Sequence, residues 1–150
     1  MQDLIYEIYI ADKPEQVWRA ITEDDGVRAA FFGTALEASL HAGGEYAYVG
    51  PGNDGNKTVH VYGTILEIEP YRLLRMTEHA GPSYRSDHAE LETRVTYALE
   101  PAGGTTKLTL VNDRWPDNHP SYDNARGSWP MTLSAIKTYV ETGRTLDFGW

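Results

Sequence analysis

The chain has 150 residues, a net charge of −9 and no cysteine. That length suits one domain spanning 1–150, able to bury roughly 70% of the surface its unfolded chain would expose without a disulfide or metal. Missing thiols exclude disulfide scaffolds and cysteine nucleophiles, and an acidic balance with no Lys/Arg cluster argues against nucleic acid as a partner.

Leu4 to Ile10 reads as a strand, dominated by β-branched and aromatic residues. Asp12 is a candidate N-cap and Pro14 fits a first helical turn, so Val17, Trp18 and Ile21 form the apolar stripe of a short helix. Asp24 to Phe31 predicts a second short helix with carboxylates at its favoured end, stopped at Gly33.

Six further strands follow: Leu36 to Leu40, Glu45 to Val49, Thr58 to Ile68, Arg72 to His79, Glu92 to Leu99, and Thr106 to Asn112. Their separators are Gly- and Pro-rich turns with no room for crossover helices, which predicts an antiparallel meander. The period then changes. Trp129, Leu133, Ile136 and Val140 fall on one helical stripe, with Pro130 either in the first turn or kinking a helix begun near Asp123, and Gly143 as the C-cap. A helix with one apolar stripe must lie on the sheet, which gives an α+β architecture: about six or seven curved antiparallel strands around a long C-terminal helix.

No apolar run reaches the ~18 residues that cross a bilayer, and the N-terminus lacks signal-peptide features; no membrane span and a cytoplasmic location are expected. The sequon Asn56-Lys57-Thr58 is accordingly read as chance. Glu78-His79, Asp87-His88-Glu90 and the group Asp113, Asp117, His119 lack the paired spacing of metal ligands, and no nucleophile elbow or P-loop is present; no metal and no cofactor are expected.

Ten tyrosines and four tryptophans stand out. Alternate strand residues share a face, and a curved sheet closed by one helix leaves an apolar gap of the kind that holds small molecules. The candidate liners are Tyr46, Tyr48, Tyr62, Met76, Tyr97 and Leu110 on the sheet and Trp129, Leu133 and Ile136 on the helix. Arg75, Glu78, His79, Arg94 and Asn112 are candidate polar anchors. Register is open by one residue, and a slip exchanges the faces; Val61, Ile65, Leu66 and Ile68 do not alternate cleanly.

The element order and three segments resemble the helix-grip fold of the START-like (SRPBCC) superfamily, in the branch named for the activator of heat-shock-protein-90 ATPase. The segments are Gly43-Gly44 in a turn, Gly63-Thr-Ile-Leu-Glu-Ile-Glu-Pro70 at a strand end, and Trp129 to Gly143; the opening helix Ile10 to Thr22 also matches. Phe31-Phe32-Gly33 departs from the Trp-containing step the branch often carries. The resemblance implies binding of an apolar or aromatic small molecule, with no catalysis required. An alternative is a polyketide cyclase- or hydratase-like enzyme using Glu78 or His79 with Tyr97. A further one is a co-chaperone-like module that binds a protein. Oligomeric state stays open, a homodimer included.

Overall fold

The computed structural model describes residues 1–149. In chain order it comprises β1 (Leu4–Ile10), α1 (Pro14–Thr22), α2 (Asp24–Ala30), β2 (Ala35–Ala38), β3 (Glu45–Pro51), β4 (Lys57–Glu69) and β5 (Leu73–Ala80). A single 3-10 turn at His88–Glu90 precedes β6 (Thr93–Ala102), β7 (Thr105–Asp113) and α3 (Tyr122–Thr142). The strands form one antiparallel sheet in the order β1-β7-β6-β5-β4-β3-β2. Hairpin turns connect β2 through β7 to their neighbours. Only β1 pairs out of sequence, reaching β7, and the α1–α2 connection carries the chain from that edge to the other.

Packing of α1 and α2 against α3 closes one side of the core. The two short helices meet closely because Gly26 has no side chain: a Cβ there would sit 2.4 Å from the Cα of Ala20. Asp12 does not cap α1. Lys13 occupies the N-cap position, and the Asp12 carboxylate accepts the Lys13 N–H at 2.8 Å instead.

The irregular pattern in β4 has a geometric cause. Ile65 pairs with Met76 and Ile68 with Leu74, with a register shift between them. The extra residue keeps both isoleucines on the inner face and leaves Leu66 on the surface, as a β-bulge does.

α3 begins at Tyr122, a full two turns before Trp129, so Pro130 lies inside it. Proline supplies no N–H, which frees the carbonyl four residues earlier. That carbonyl belongs to Arg126, and the Tyr6 hydroxyl of β1 donates to it at 3.3 Å. Gly143 ends the helix with φ +74°, its N–H donating to the Tyr139 carbonyl at 2.7 Å.

Candidate functional site

Strand pairing fixes which side chains share the concave face. Leu74, Met76 and Glu78 of β5 stand opposite Tyr97, Val95 and Thr93 of β6. Tyr97 and Val95 stand in turn opposite Leu110 and Asn112 of β7. On the other side Tyr46 pairs with Gly63 and Tyr48 with Val61, and the β4–β5 register brings Gly63 opposite Glu78. One transverse row of the inner face therefore reads Tyr46, Gly63, Glu78, Thr93.

Tyr46, Tyr48, Met76, Tyr97 and Leu110 belong to a single buried cluster with Trp129, Leu133 and Ile136 of α3. Aromatic contacts hold the rings in place. Phe31 stacks on Tyr48 at 5.1 Å, Tyr46 meets Tyr48 edge-on at 5.8 Å, and Tyr97 meets Trp129 edge-on at 6.3 Å. Tyr46 also donates its hydroxyl to the Thr77 carbonyl at 2.5 Å. Its ring passes over Gly63, where a Cβ would stand only 2.1 Å from that same carbonyl.

Asn112 is a fully committed buried amide. It donates to the Thr93 hydroxyl at 3.2 Å and the Arg94 carbonyl at 3.0 Å, and its oxygen accepts the Trp129 indole N–H at 3.0 Å. These bonds tie α3 to the sheet and leave Asn112 no N–H for a ligand.

Glu78 is different. Among the described residues, every fully enclosed side-chain polar atom has a hydrogen-bond partner. Glu78, Tyr48 and Tyr97 make no side-chain hydrogen bond there, so the carboxylate and the two hydroxyls are not sealed from solvent. Tyr48 and Tyr97 are nonetheless only 7% and 1% exposed. Glu78 keeps part of its surface while protein surrounds it closely enough for burial alone to push its carboxyl up to about 7. A side chain both enclosed and reachable lines a recess. Burial, together with the nearby Glu78 charge, holds the Tyr46, Tyr48 and Tyr97 hydroxyls well above their ordinary range, so all three are neutral donors.

Other expected site residues lie elsewhere. Tyr62 sits on the convex face, because it pairs with His79 rather than with an inner-face residue. The two rings stack at 4.8 Å, and the Tyr62 hydroxyl shares a hydrogen bond with His88 Nδ1. His79 is also on that face. Its Nδ1 lies 2.9 Å from the His88 carbonyl oxygen and its Nε2 3.0 Å from a Glu92 carboxylate oxygen, contacts that pin the β5–β6 loop and separate His79 from Glu78 and Tyr97. Arg75 and Arg94 point outward too, paired with Glu67 at 2.6 Å and Asp113 at 2.6 Å.

Two further features bear on the site. Two surface depressions, of about 800 Å³ among α1, α2 and the end of α3 and about 350 Å³ between β1 and α3, include none of Tyr48, Glu78 and Tyr97. The first is flanked by exposed charges such as Arg19 and Glu23, so it is a solvated groove. Among the described residues no three His, Asp or Glu side chains gather as a metal-binding group, and no helix is long and apolar enough to cross a membrane.

Phe31 and Thr93 are parts of the site that the sequence did not single out. Phe31 follows a helix end, where spacing carries no facing information. Thr93 could be found only by pairing it across to Glu78.

A family model described as "Activator of Hsp90 ATPase homolog 1-like protein" matches residues 12–141. No curated protein matches by sequence. Solved structures share the fold. MLL2253 from Mesorhizobium loti superposes with a TM-score of 0.72 at 22% identity, covering 91% of this chain and 95% of its own. An Aha1 dimer from Colwellia psychrerythraea gives 0.71 at 17% identity over 95% and 98%, and CalU16 from Micromonospora echinospora 0.72 at 19% over 94% and 77%.

Proposed function

Because the chain belongs to the Activator of Hsp90 ATPase homolog 1-like family, we propose that it uses the helix-grip interior to hold a small, largely apolar or aromatic molecule. The observation that carries this reading is the recess itself: a carboxyl and two hydroxyls without protein partners, set within an otherwise apolar aromatic face. Apolar walls with a few converging polar groups are the usual make-up of a small-molecule site. Apolar burial supplies affinity there, and the polar groups set orientation.

The test is a titration with the neutral fluorophore N-phenyl-1-naphthylamine. Saturable enhancement is expected, weakened about fivefold when Tyr48→Phe and Tyr97→Phe are combined, since the probe's one N–H then loses a hydrogen bond worth about 1 kcal/mol. Absence of saturable binding by the probe and by a wider set of apolar fluorophores would overturn the reading.

A second reading is a cyclase- or hydratase-like enzyme, favoured by one observation: Glu78 titrates near neutrality on the same face as Tyr97 and within its electrostatic reach, the property of a general acid or base. His79 has no part in it. Turnover of a polyketide-like or enone substrate that is lost in Glu78→Gln is the outcome this reading requires.

A further inference from the structure

Every inner-face position of the sheet other than Glu78 is uncharged. From β1 to β7 the face carries Leu, Ile, Val, Tyr, Ala, Gly, Met, Thr and Asn, and no Lys or Arg. The buried residues of α1, α2 and α3 that face it are uncharged as well. Of the basic side chains near this end of the sheet, Arg75, Arg85 and Arg94 pair with carboxylates away from the recess, and Arg114 is exposed to solvent beside Asp113. Among the described residues Glu78 is thus an enclosed carboxyl with no paired counter-charge and no hydrogen bond from the protein.

An enclosed carboxylate left this way is costly, so whatever enters the recess is selected by how it answers that charge. An anionic ligand adds repulsion and finds no base. A neutral ligand can answer it only with a hydrogen bond and leaves the net charge in place. A cation pairs with it, and the surrounding tyrosine rings offer their negative faces to the same cation. Tyr46, Tyr48 and Tyr97 all lie within electrostatic reach of Glu78. The net charge of −9 favours the approach of cations as well.

We propose that the recess takes an organic amine, its ammonium group paired with the Glu78 carboxylate among the rings of Tyr46, Tyr48 and Tyr97 and its apolar body lying toward Trp129. This rests on the ligand-holding reading above and gives it a chemical class. The hydroxyls of Tyr48 and Tyr97 remain free for a second polar group on the ligand.

Three probes of one skeleton test it by calorimetry at pH 8: naphthalene-1-methylamine, naphthalene-1-methanol and naphthalene-1-acetate. The amine is expected to bind at least about tenfold more tightly than the alcohol, a gap of about 1.4 kcal/mol, with the acetate weakest. Glu78→Gln is expected to erase the amine's advantage over the alcohol. Should that variant fold poorly, the wild-type protein gives the same answer by pH. Amine affinity falls from pH 8 to pH 5 as Glu78 takes up a proton, while alcohol affinity does not; the other titratable groups facing Glu78 (Tyr46 and Tyr48 from β3, Tyr97 from β6) stay neutral throughout. If the alcohol binds and the amine binds no better, or the acetate binds best, the amine assignment falls and ligand holding survives. If none of the three binds saturably, both fall.

Discussion

Glu78 sets the pH behaviour of the folded chain. Its carboxyl is raised from 4.5 to about 7 by burial. Below pH 4.5 it is neutral in folded and unfolded chains alike. Between 4.5 and about 7 the unfolded chain has released the proton that the folded chain keeps, so stability falls with rising pH, and above that window the loss is complete. The size is on the order of 3 kcal/mol. Glu78→Gln removes this dependence: thermal denaturation is expected to show the variant more stable than wild type at pH 8 and level with it at pH 4.5, and parallel profiles would contradict the assignment. The role of Glu78 was partly legible in the sequence, since it falls in phase with Leu74 and Met76 on alternate positions of β5. Tyr62 was misread for a related reason. The β4 pattern fits either face until the bulge after Ile65 is known, and cross-strand pairing with His79 decides it. Tyr62→Phe is therefore expected to leave N-phenyl-1-naphthylamine binding unchanged, while Tyr97→Phe weakens it severalfold.

Among the elements, β4 and α3 carry most of the specificity of the fold. Gly63 lets β4 pass beneath the ring of Tyr46, and a methyl group there meets a backbone oxygen that has little freedom to move. Gly63→Ala is expected to cost about 1–3 kcal/mol, the usual range for overpacking, measurable as a lowered denaturation midpoint with an unchanged slope. In α3 the proline has a local remedy in Tyr6. Tyr6→Phe should cost about 1 kcal/mol in the wild-type helix and close to nothing in a Pro130→Ala background, where Arg126 regains a helical donor; equal costs in both backgrounds would refute the pairing. The antiparallel meander and both short helices were readable because period and turn chemistry agreed, whereas the pairing of β1 with β7 was not. The start of α3 was open between Pro130 and a point near Asp123, because Gly127 and Pro130 interrupt the helical pattern, and the structure takes the earlier one, so that Tyr122–Ser128 is helical. That stretch is anchored by tertiary contacts, including the Tyr122 hydroxyl donating to the Gln2 carbonyl at 2.9 Å, which no local pattern reveals.

At the scale of the whole molecule, the two faces of the sheet divide the labour. The convex face collects the ion pairs Arg75–Glu67 and Arg94–Asp113 and the His79–Tyr62–His88 cluster that fastens the β5–β6 loop. The concave face holds the apolar cluster under α3 and, within it, one carboxyl and two hydroxyls without partners. Fold and family follow from sequence order, whereas the recess emerges only when β3, β5 and β6 bring Tyr48, Glu78 and Tyr97 to one place from distant positions. The most direct test of ligand holding is a heteronuclear NMR titration with naphthalene-1-methanol. Saturable shifts centred on Tyr48, Glu78, Tyr97 and the Trp129 indole N–H are the predicted result. Shifts confined to the convex face or to the groove beside α1 and α2, or no saturable shifts at all, would contradict it.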